Sequence, residues 1–223
     1  MAGTSLTRRA AAEFTGTAFL LAAVAGSGIM ADKLSGGNVG LALLCNAIAT
    51  GAALFVLITI FGPMSGAHFN PAVTAVMRLR GAIETGAAAA YLFAQVAGGL
   101  AGVFAAHIMF DQPVLQISAT ARTGSGQWTA EAIAAFGLIL TILGTVKFAP
   151  EKVPAAVGLY ILSAYWFTAS TSCANPAVTL ARAFTNTFAG IAPGDVAAFV
   201  VAQMAGALAA HITGRWLFDG DRA

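Results

Sequence analysis

The chain has few charged residues. Only 9% of its 223 residues are Asp, Glu, Lys or Arg, whereas 58% are hydrophobic, and the mean hydropathy is +0.81. A typical soluble domain carries about 25% charged residues, so this chain has too few to cover a surface that faces water. Length and composition therefore predict a single integral membrane domain.

The sequence also lacks the residue clusters of several function classes. The net charge is only +2 and no basic cluster contains interleaved aromatics, which argues against nucleic-acid binding. No Ser/His/Asp, Cys/His or metal-ligand cluster can be assembled, so we expect no enzyme activity, no cofactor and no bound metal. Two cysteines, Cys45 and Cys173, lie in apolar surroundings. They could form a disulfide, but two buried thiols are the expected state.

Long apolar runs dominate the chain instead. A helix needs about 20 mostly apolar residues to cross about 30 Å of hydrocarbon. Six runs meet this requirement, namely residues 9–30, 38–61, 84–108, 128–149, 153–171 and 194–218. Two further apolar runs begin at Asn70 and Asn175 and extend for about ten residues, so each covers about 15 Å. The sequence predicts an all-α membrane protein with six transmembrane helices and two re-entrant half-helices.

The two halves of the chain repeat each other. The segment "HFNPAVT" (His68–Thr74) returns as "CANPAVT" (Cys173–Thr179), with the two asparagines 105 positions apart. The repeat also aligns Glu13 with Glu131 and Gln95 with Gln203. Each half contains three spans, and because three is odd the second half must be inverted relative to the first. We expect one channel domain over residues 1–223, with repeats of about 1–110 and 125–223.

The distribution of Lys and Arg predicts the orientation. With the N-terminus in the cytoplasm, eight basic residues fall in cytoplasmic segments and three in outer segments. The eight are Arg8, Arg9, Arg78, Arg80, Lys147, Lys152, Arg215 and Arg222, and the three are Lys33, Arg122 and Arg182. This excess matches the positive-inside rule, so both termini are expected in the cytoplasm.

The repeated Asn-Pro pairs explain how a half-helix can begin inside a membrane. Free N–H groups at a helix start must be satisfied by protein or water. Asn is a strong N-cap, and Pro is favoured at the first helical position. Because the cap uses only the side-chain oxygen of Asn, its NH₂ group remains free to donate into a cavity. Inverted symmetry brings both positive helix ends to the midplane, where they attract neutral solutes with acceptor oxygens and repel cations, including hydronium. The pore residues predicted in this way are Asn70, Pro71, Ala72, Asn175, Pro176 and Ala177.

At these motifs the chain resembles the aquaporin and aquaglyceroporin (major intrinsic protein) family over essentially its whole length. The resemblance is carried by "AEFTGT" (12–17), "SGAHFNPAVT" (65–74), "AQVAGG" (94–99) and "NPAVT" (175–179). It implies six helices and two half-helices, a pore through each protomer, and a homotetramer in a lipid membrane. Most members of the family carry an arginine in the narrow outer selectivity filter of the pore. Some bacterial relatives that lack this arginine are associated with arsenic handling, and the chain resembles them. This resemblance implies the bacterial inner (plasma) membrane.

The selectivity filter departs from the family pattern. Val178 stands where most relatives carry that arginine, and a count without gaps from the asparagines gives Thr50, Ser163 and Ser172 as the other filter positions. Since these residues have no ring and no charge, we expect a wide filter with three hydroxyls and one apolar wall. The expected function is a passive channel for small uncharged polar solutes. Neutral metalloid acids or organic arsenicals come first, glycerol-like solutes second, and some water also passes.

Several other residues are expected to support this pore. Arg182 follows Val178 by one helical turn, and at the outer vestibule it would either attract acidic or oxyanionic solutes or hold loop carbonyls. His68 is expected in the cytoplasmic vestibule. In the family, glutamates such as Glu13 and Glu131 brace the re-entrant loops by accepting backbone N–H bonds. We expect structural roles for Gln95 and Gln203 as well, through bonds to loop carbonyls or packing between helices.

An ion-coupled secondary transporter is the alternative function. Such transporters also use inverted repeats and broken helices. No Asp or Glu approaches the predicted midplane, however, so the sequence offers no evident site for a coupling cation.

Overall fold

A computed structural model of the chain describes residues 4–220. Arg222, counted above among the cytoplasmic basic residues, lies outside this range. Within residues 4–220 there are eight α-helices: α1 Leu6–Leu34, α2 Val39–Ser65, α3 Pro71–Leu79, α4 Thr85–Met109, α5 Ser125–Phe148, α6 Val153–Phe167, α7 Pro176–Arg182 and α8 Pro193–Gly214. A 3₁₀ turn, Pro150–Lys152, precedes α6, and a π-helical turn, Arg215–Asp219, extends α8. The described part contains no β-strand, and the predicted all-α class is confirmed.

Five of the helices (α1, α2, α4, α5 and α8) are long and apolar enough to cross a membrane. The remaining apolar run, residues 153–171, forms α6, which has 15 residues and is therefore about 22 Å long. Its predicted end at residue 171 is wrong. The helix stops at Phe167 because Thr168 has an extended backbone and Thr171 a left-handed one, with φ of 59°.

Both halves of the chain use the same packing scheme. Helix α1 packs on α2 and α4, and α5 packs in the same way on α6 and α8. Glycines allow the closest approaches. A Cβ atom at Gly102 would lie 2.1 Å from the Ala18 carbonyl oxygen, and one at Gly206 would lie 2.1 Å from the Ala132 carbonyl oxygen. The helix backbones therefore touch at points where only glycine fits.

The two cysteines occupy different environments. Cys173 is buried, but Cys45 is exposed on the outside of α2, and both thiols are free. The expectation of two buried thiols is thus wrong for Cys45. Helix α2 is apolar on nearly all sides, so hydropathy could not distinguish the face toward lipid from the face toward the protein interior.

Candidate functional site

The N-termini of the two short helices α3 and α7 meet in the interior. Each has an asparagine as its N-cap and a proline at its first position. The Asn70 Oδ1 atom accepts a hydrogen bond from the Ala72 N–H at 2.9 Å, and Asn175 Oδ1 accepts from the Ala177 N–H at 3.0 Å. The sequence repeat is therefore also a repeat of local geometry.

The asparagine side chains also tie the two halves together. Asn70 Nδ2 donates to the carbonyl oxygen of Ala174 at 2.8 Å, and Asn175 Nδ2 donates to that of Phe69 at 2.8 Å. The prediction that both NH₂ groups are free is therefore corrected, because one hydrogen of each group holds the opposite loop. The second hydrogen of each remains as a donor, and both asparagines line the same cavity.

The loops before the two asparagines carry matched backbone strain. Left-handed φ angles occur at Ala67 (49°) and Phe69 (48°), and at the corresponding Ser172 (54°) and Ala174 (47°). Such angles in residues other than glycine cost about 1–3 kcal/mol each. Surrounding contacts must therefore hold these loops in place.

Two buried glutamates supply such contacts. Glu13 reaches the loop before α3, and Glu131 reaches the loop before α7. Their backbone donors are His68 and Phe69 for Glu13, at 2.9 and 2.7 Å, and Cys173 and Ala174 for Glu131, both at 2.9 Å. Both carboxylates are thus occupied in holding loop backbone.

The buried glutamines bind these carboxylates rather than loop carbonyls, which corrects one of the two roles expected for them. Gln95 Nε2 donates to Glu13 Oε2 at 2.8 Å and to Thr74 Oγ1 at 2.9 Å. In the other half, Gln203 Nε2 donates to Glu131 Oε2 at 2.5 Å and to Thr179 Oγ1 at 2.8 Å. Sequence reasoning missed these contacts because each joins three separate helices.

Both asparagines line a cavity of about 250 Å³. Its lining extends from Val146 and Val153, where α5 ends and α6 begins, past the asparagines to Arg182 at the end of α7. Most of the wall is apolar and comes from α1, α2, α5 and α6. Polar groups come chiefly from the two loops and the half-helices, so the cavity has one apolar side and one polar side.

Three of the four predicted filter residues line this cavity, and one does not. Thr50, Ser172 and Val178 are buried lining residues. Ser163 is exposed on the outside of α6 and donates to the Tyr160 carbonyl oxygen at 2.7 Å. Its assignment to the filter is wrong.

Tyr165 occupies the place on α6 that had been given to Ser163. The α6 residues that face the cavity recur every fourth position, at Val157, Ile161 and Tyr165. Ser163 lies two positions from Tyr165, a rotation of about 200° around the helix, so it points outward. The count without gaps from Asn175 missed this face, because α6 is apolar on all sides and no polar stripe marks its inner face.

The lining near Thr50 includes both a ring and a charge. The Tyr165 hydroxyl lies 3.2 Å from Thr50 Oγ1. Arg182, only 3% exposed, also lines the cavity, with Nη1 donating to Cys173 Sγ at 2.8 Å and Nε to the Ala189 carbonyl oxygen. The expectation that this region has neither ring nor charge is therefore corrected.

Ser172 contributes a hydroxyl group to the cavity that makes no hydrogen bond within residues 4–220. Its side chain is buried among the lining residues. A molecule in the cavity could accept from this hydroxyl or donate to it.

His68 lines the cavity on the other side of the asparagines. Its Nδ1 atom lies 3.0 Å from Thr74 Oγ1, and its ring contacts the edge of Tyr91 with the centroids 5.3 Å apart. Over the described residues, no group of three or more His, Cys, Asp or Glu side chains is arranged to hold a metal ion.

The sequence singled out Arg122 only as one of the basic residues of the outer segments. In the structure it binds the loop region beside Arg182 through hydrogen bonds. Its Nε donates to the Gly190 carbonyl oxygen at 2.8 Å, and its backbone N–H donates to Asp195 Oδ2 at 2.7 Å. Burial lowers the pKa of Arg122 to about 10, and the nearby charge of Arg182 acts in the same direction. Arg122 therefore remains cationic at neutral pH, close to Arg182.

Comparisons with known proteins agree with this geometry. Residues 1–152 match the family model described as "Major intrinsic protein". The chain is 58% identical over 217 residues to Aquaglyceroporin AqpS of Rhizobium meliloti (strain 1021), an alignment that covers 97% of this chain and 93% of the relative. It is 31% identical over 190 residues to the Probable aquaporin TIP1-1 of Oryza sativa subsp. japonica, covering 79% of this chain and 74% of that protein.

A solved structure shares the fold. The X-ray structure of the aquaglyceroporin from Plasmodium falciparum matches with a TM-score of 0.73 and 23% identity, over 96% of this chain and 97% of that one. At this identity the likeness concerns the arrangement of the helices alone.

Proposed function

Because the chain belongs to the major intrinsic protein family, whose aquaglyceroporins are channels and not enzymes, we propose that it passively conducts small uncharged polar solutes. Neutral metalloid acids or organic arsenicals rank first, glycerol-like solutes second, and some water also passes. The proposal includes one domain with inverted repeats, a homotetramer, and a bacterial inner membrane with both termini in the cytoplasm.

One observation carries the proposal. Asn70 and Asn175 cap two half-helices and line the same cavity. Each helix N-terminus carries about half a positive charge, so both favour acceptor oxygens and disfavour cations in that cavity. A neutral solute with hydroxyl groups fits this field, whereas a metal cation or hydronium does not.

The carboxylates argue against an ion-coupled transporter. No Asp or Glu is among the lining residues of the cavity within the described chain. Glu13 and Glu131 are fully buried, and both are already bound to loop backbone and glutamine. A coupling cation would therefore meet two positive helix ends without a compensating carboxylate.

The polar groups near Val178 favour a compact solute with several oxygens. The Arg182 guanidinium and the hydroxyls of Thr50, Tyr165 and Ser172 can donate from different sides, while Val178 adds an apolar surface. Arsenous acid presents three hydroxyls around one centre, much as glycerol presents three along a short chain. The name of the relative from Rhizobium meliloti, an aquaglyceroporin, supports glycerol-like solutes.

Uptake into proteoliposomes tests the proposal. Entry of arsenous acid and glycerol should exceed that in protein-free liposomes and should not change when a protonophore is added. Val178→Arg should narrow the range of solutes toward smaller ones. Loss of uptake with the protonophore would instead support a coupled transporter, and an unchanged range in Val178→Arg would mean that position 178 does not limit passage.

A further inference from the structure

A second pocket lies outside the cavity of the two asparagines, where α3 and α8 end. Its volume is about 810 Å³, and its walls include Leu79, Arg80, His211, Ile212, Arg215 and Trp216. We propose that this basic pocket binds the phosphate group of an anionic phospholipid, whose acyl chains lie along the exposed apolar side chains at its edge.

The charges of the basic pocket favour an anion. Among residues 4–220, Asp219 is the only carboxylate in its lining, and Arg80 Nη2 binds it at 2.9 and 3.2 Å. Asp219 also lies 3.7 Å from Lys147 Nζ, so two cations share one carboxylate. Arg215 forms no ion pair within residues 4–220, so the described lining of the pocket has more positive than negative charge.

Two nitrogens of the lining lack hydrogen bonds. His211 is only 8% exposed, and its Nδ1 has no partner among residues 4–220. The same holds for Arg80 Nη1. A small adjustment of the two side chains would let phosphate oxygens accept from Arg80, and from His211 with its proton on Nδ1. The bonds gained would remove the cost of burying these groups unpaired.

The surroundings select a lipid over a free anion. Leu79, Ile212 and Trp216 are 60%, 62% and 76% exposed. They adjoin the end of α8, one of the helices able to span a membrane, so the basic pocket lies at the level of the lipid headgroups. Tryptophan is enriched at this boundary. Free phosphate would gain nothing from these apolar surfaces, whereas the chains of a phospholipid would cover them.

Trp216 provides a direct reporter. With Trp128→Phe and Trp166→Phe, it becomes the only tryptophan of the chain. Vesicles of phosphatidylcholine then receive equal fractions of brominated phosphatidylglycerol or brominated phosphatidylcholine, and quenching of Trp216 is compared. One arginine near a charged membrane surface favours an anionic lipid by about fivefold. We expect brominated phosphatidylglycerol to be enriched at Trp216 by about that factor.

Variants and free phosphate make the test decisive. Arg215→Gln should bring the preference close to one, whereas Arg78→Gln should keep it, because Arg78 lies outside the basic pocket and its Nε binds Thr85 Oγ1 at 2.8 Å. No preference in the parent protein, or an equal loss in both variants, would overturn the proposal. So would abolition of the preference by inorganic phosphate, which would indicate a site for soluble anions. The readout requires no transport, so it stands apart from the channel assignment.

Discussion

The hydroxyl groups of Tyr165 and Thr50 face each other at 3.2 Å and join α6 to α2 beside the cavity. This contact places an aromatic ring in the region where the sequence had suggested only small side chains. Ser172 and Val178 line the same cavity. A ring that a hydrogen bond holds in place therefore forms part of the cavity wall here.

Removing this ring should widen the channel. Tyr165→Ala should let four-carbon and five-carbon polyols enter proteoliposomes at rates much closer to that of glycerol, because the bulkiest side chain beside Thr50 is gone. Stopped-flow light scattering with glycerol, erythritol and xylitol measures this. Ser163→Ala is the matched control on the same helix and should change nothing, since its side chain points outward. A wider range in Ser163→Ala and none in Tyr165→Ala would contradict the placement of α6.

Arg182 should affect acidic solutes more than neutral ones. Its guanidinium lines the cavity, and a unit charge at 4 Å contributes about 1 kcal/mol even in water, which is about fivefold in rate. Arg182→Ala should therefore lower entry of an acidic organic arsenical at least about fivefold relative to glycerol. The ratio of the two rates in one sample does not depend on how much protein is folded. Lys33→Ala should leave that ratio unchanged, and an equal effect of Arg182→Ala on both solutes would assign Arg182 to loop support alone.

The glutamates should matter for stability. Glu131→Ala leaves the backbone N–H groups of Cys173 and Ala174 buried without acceptors. Each unpaired group costs about 1–3 kcal/mol, so the variant should lose about 2–6 kcal/mol and unfold at lower temperature in detergent. Glu151→Ala, at an exposed site without such bonds, is the control. Equal melting of the two variants would show that the loop before α7 does not need its carboxylate.

The glycines at helix crossings offer a further stability test. A Cβ atom at Gly102 would meet the Ala18 carbonyl oxygen, whereas one at Gly86 would meet nothing within 4 Å. Gly102→Ala should destabilise the protein by about 1–3 kcal/mol through overpacking. Gly86→Ala should stabilise it by up to about 1 kcal/mol through helix propensity. A stabilising effect of Gly102→Ala would refute the close contact of α1 and α4.

Much of the fold was readable because hydrophobicity and the Asn-Pro repeat are local signals. The apolar runs gave the helices, and the Asn-Pro pairs marked where α3 and α7 begin. Helix ends were less accessible: the predicted end at residue 171 ignored Thr168, where an extended backbone closes α6. In an apolar helix no polar stripe marks its inner face, so neither the exposure of Cys45 nor that of Ser163 could be read from hydropathy.

The N-cap residues of the two half-helices were predictable from the sequence, whereas the side chains that line the cavity were less so. Capping by Asn70 and Asn175 follows from the chemistry of the two residue types. Their bonds to Ala174 and Phe69 join chain segments more than 100 positions apart, and a propensity or a motif carries no information on such pairings. Tyr165 was missed because a count along the chain cannot replace the rotation of a helix.

Two opposed helix N-termini should make a passage that admits neutral solutes and excludes cations. The most direct test follows glycerol and protons in the same proteoliposomes, using light scattering for swelling and an enclosed pH dye for proton entry. We expect faster swelling than in protein-free liposomes, with no added proton flux under a pH gradient. Swelling no faster than in protein-free liposomes, or proton entry that rises together with glycerol entry, would contradict it.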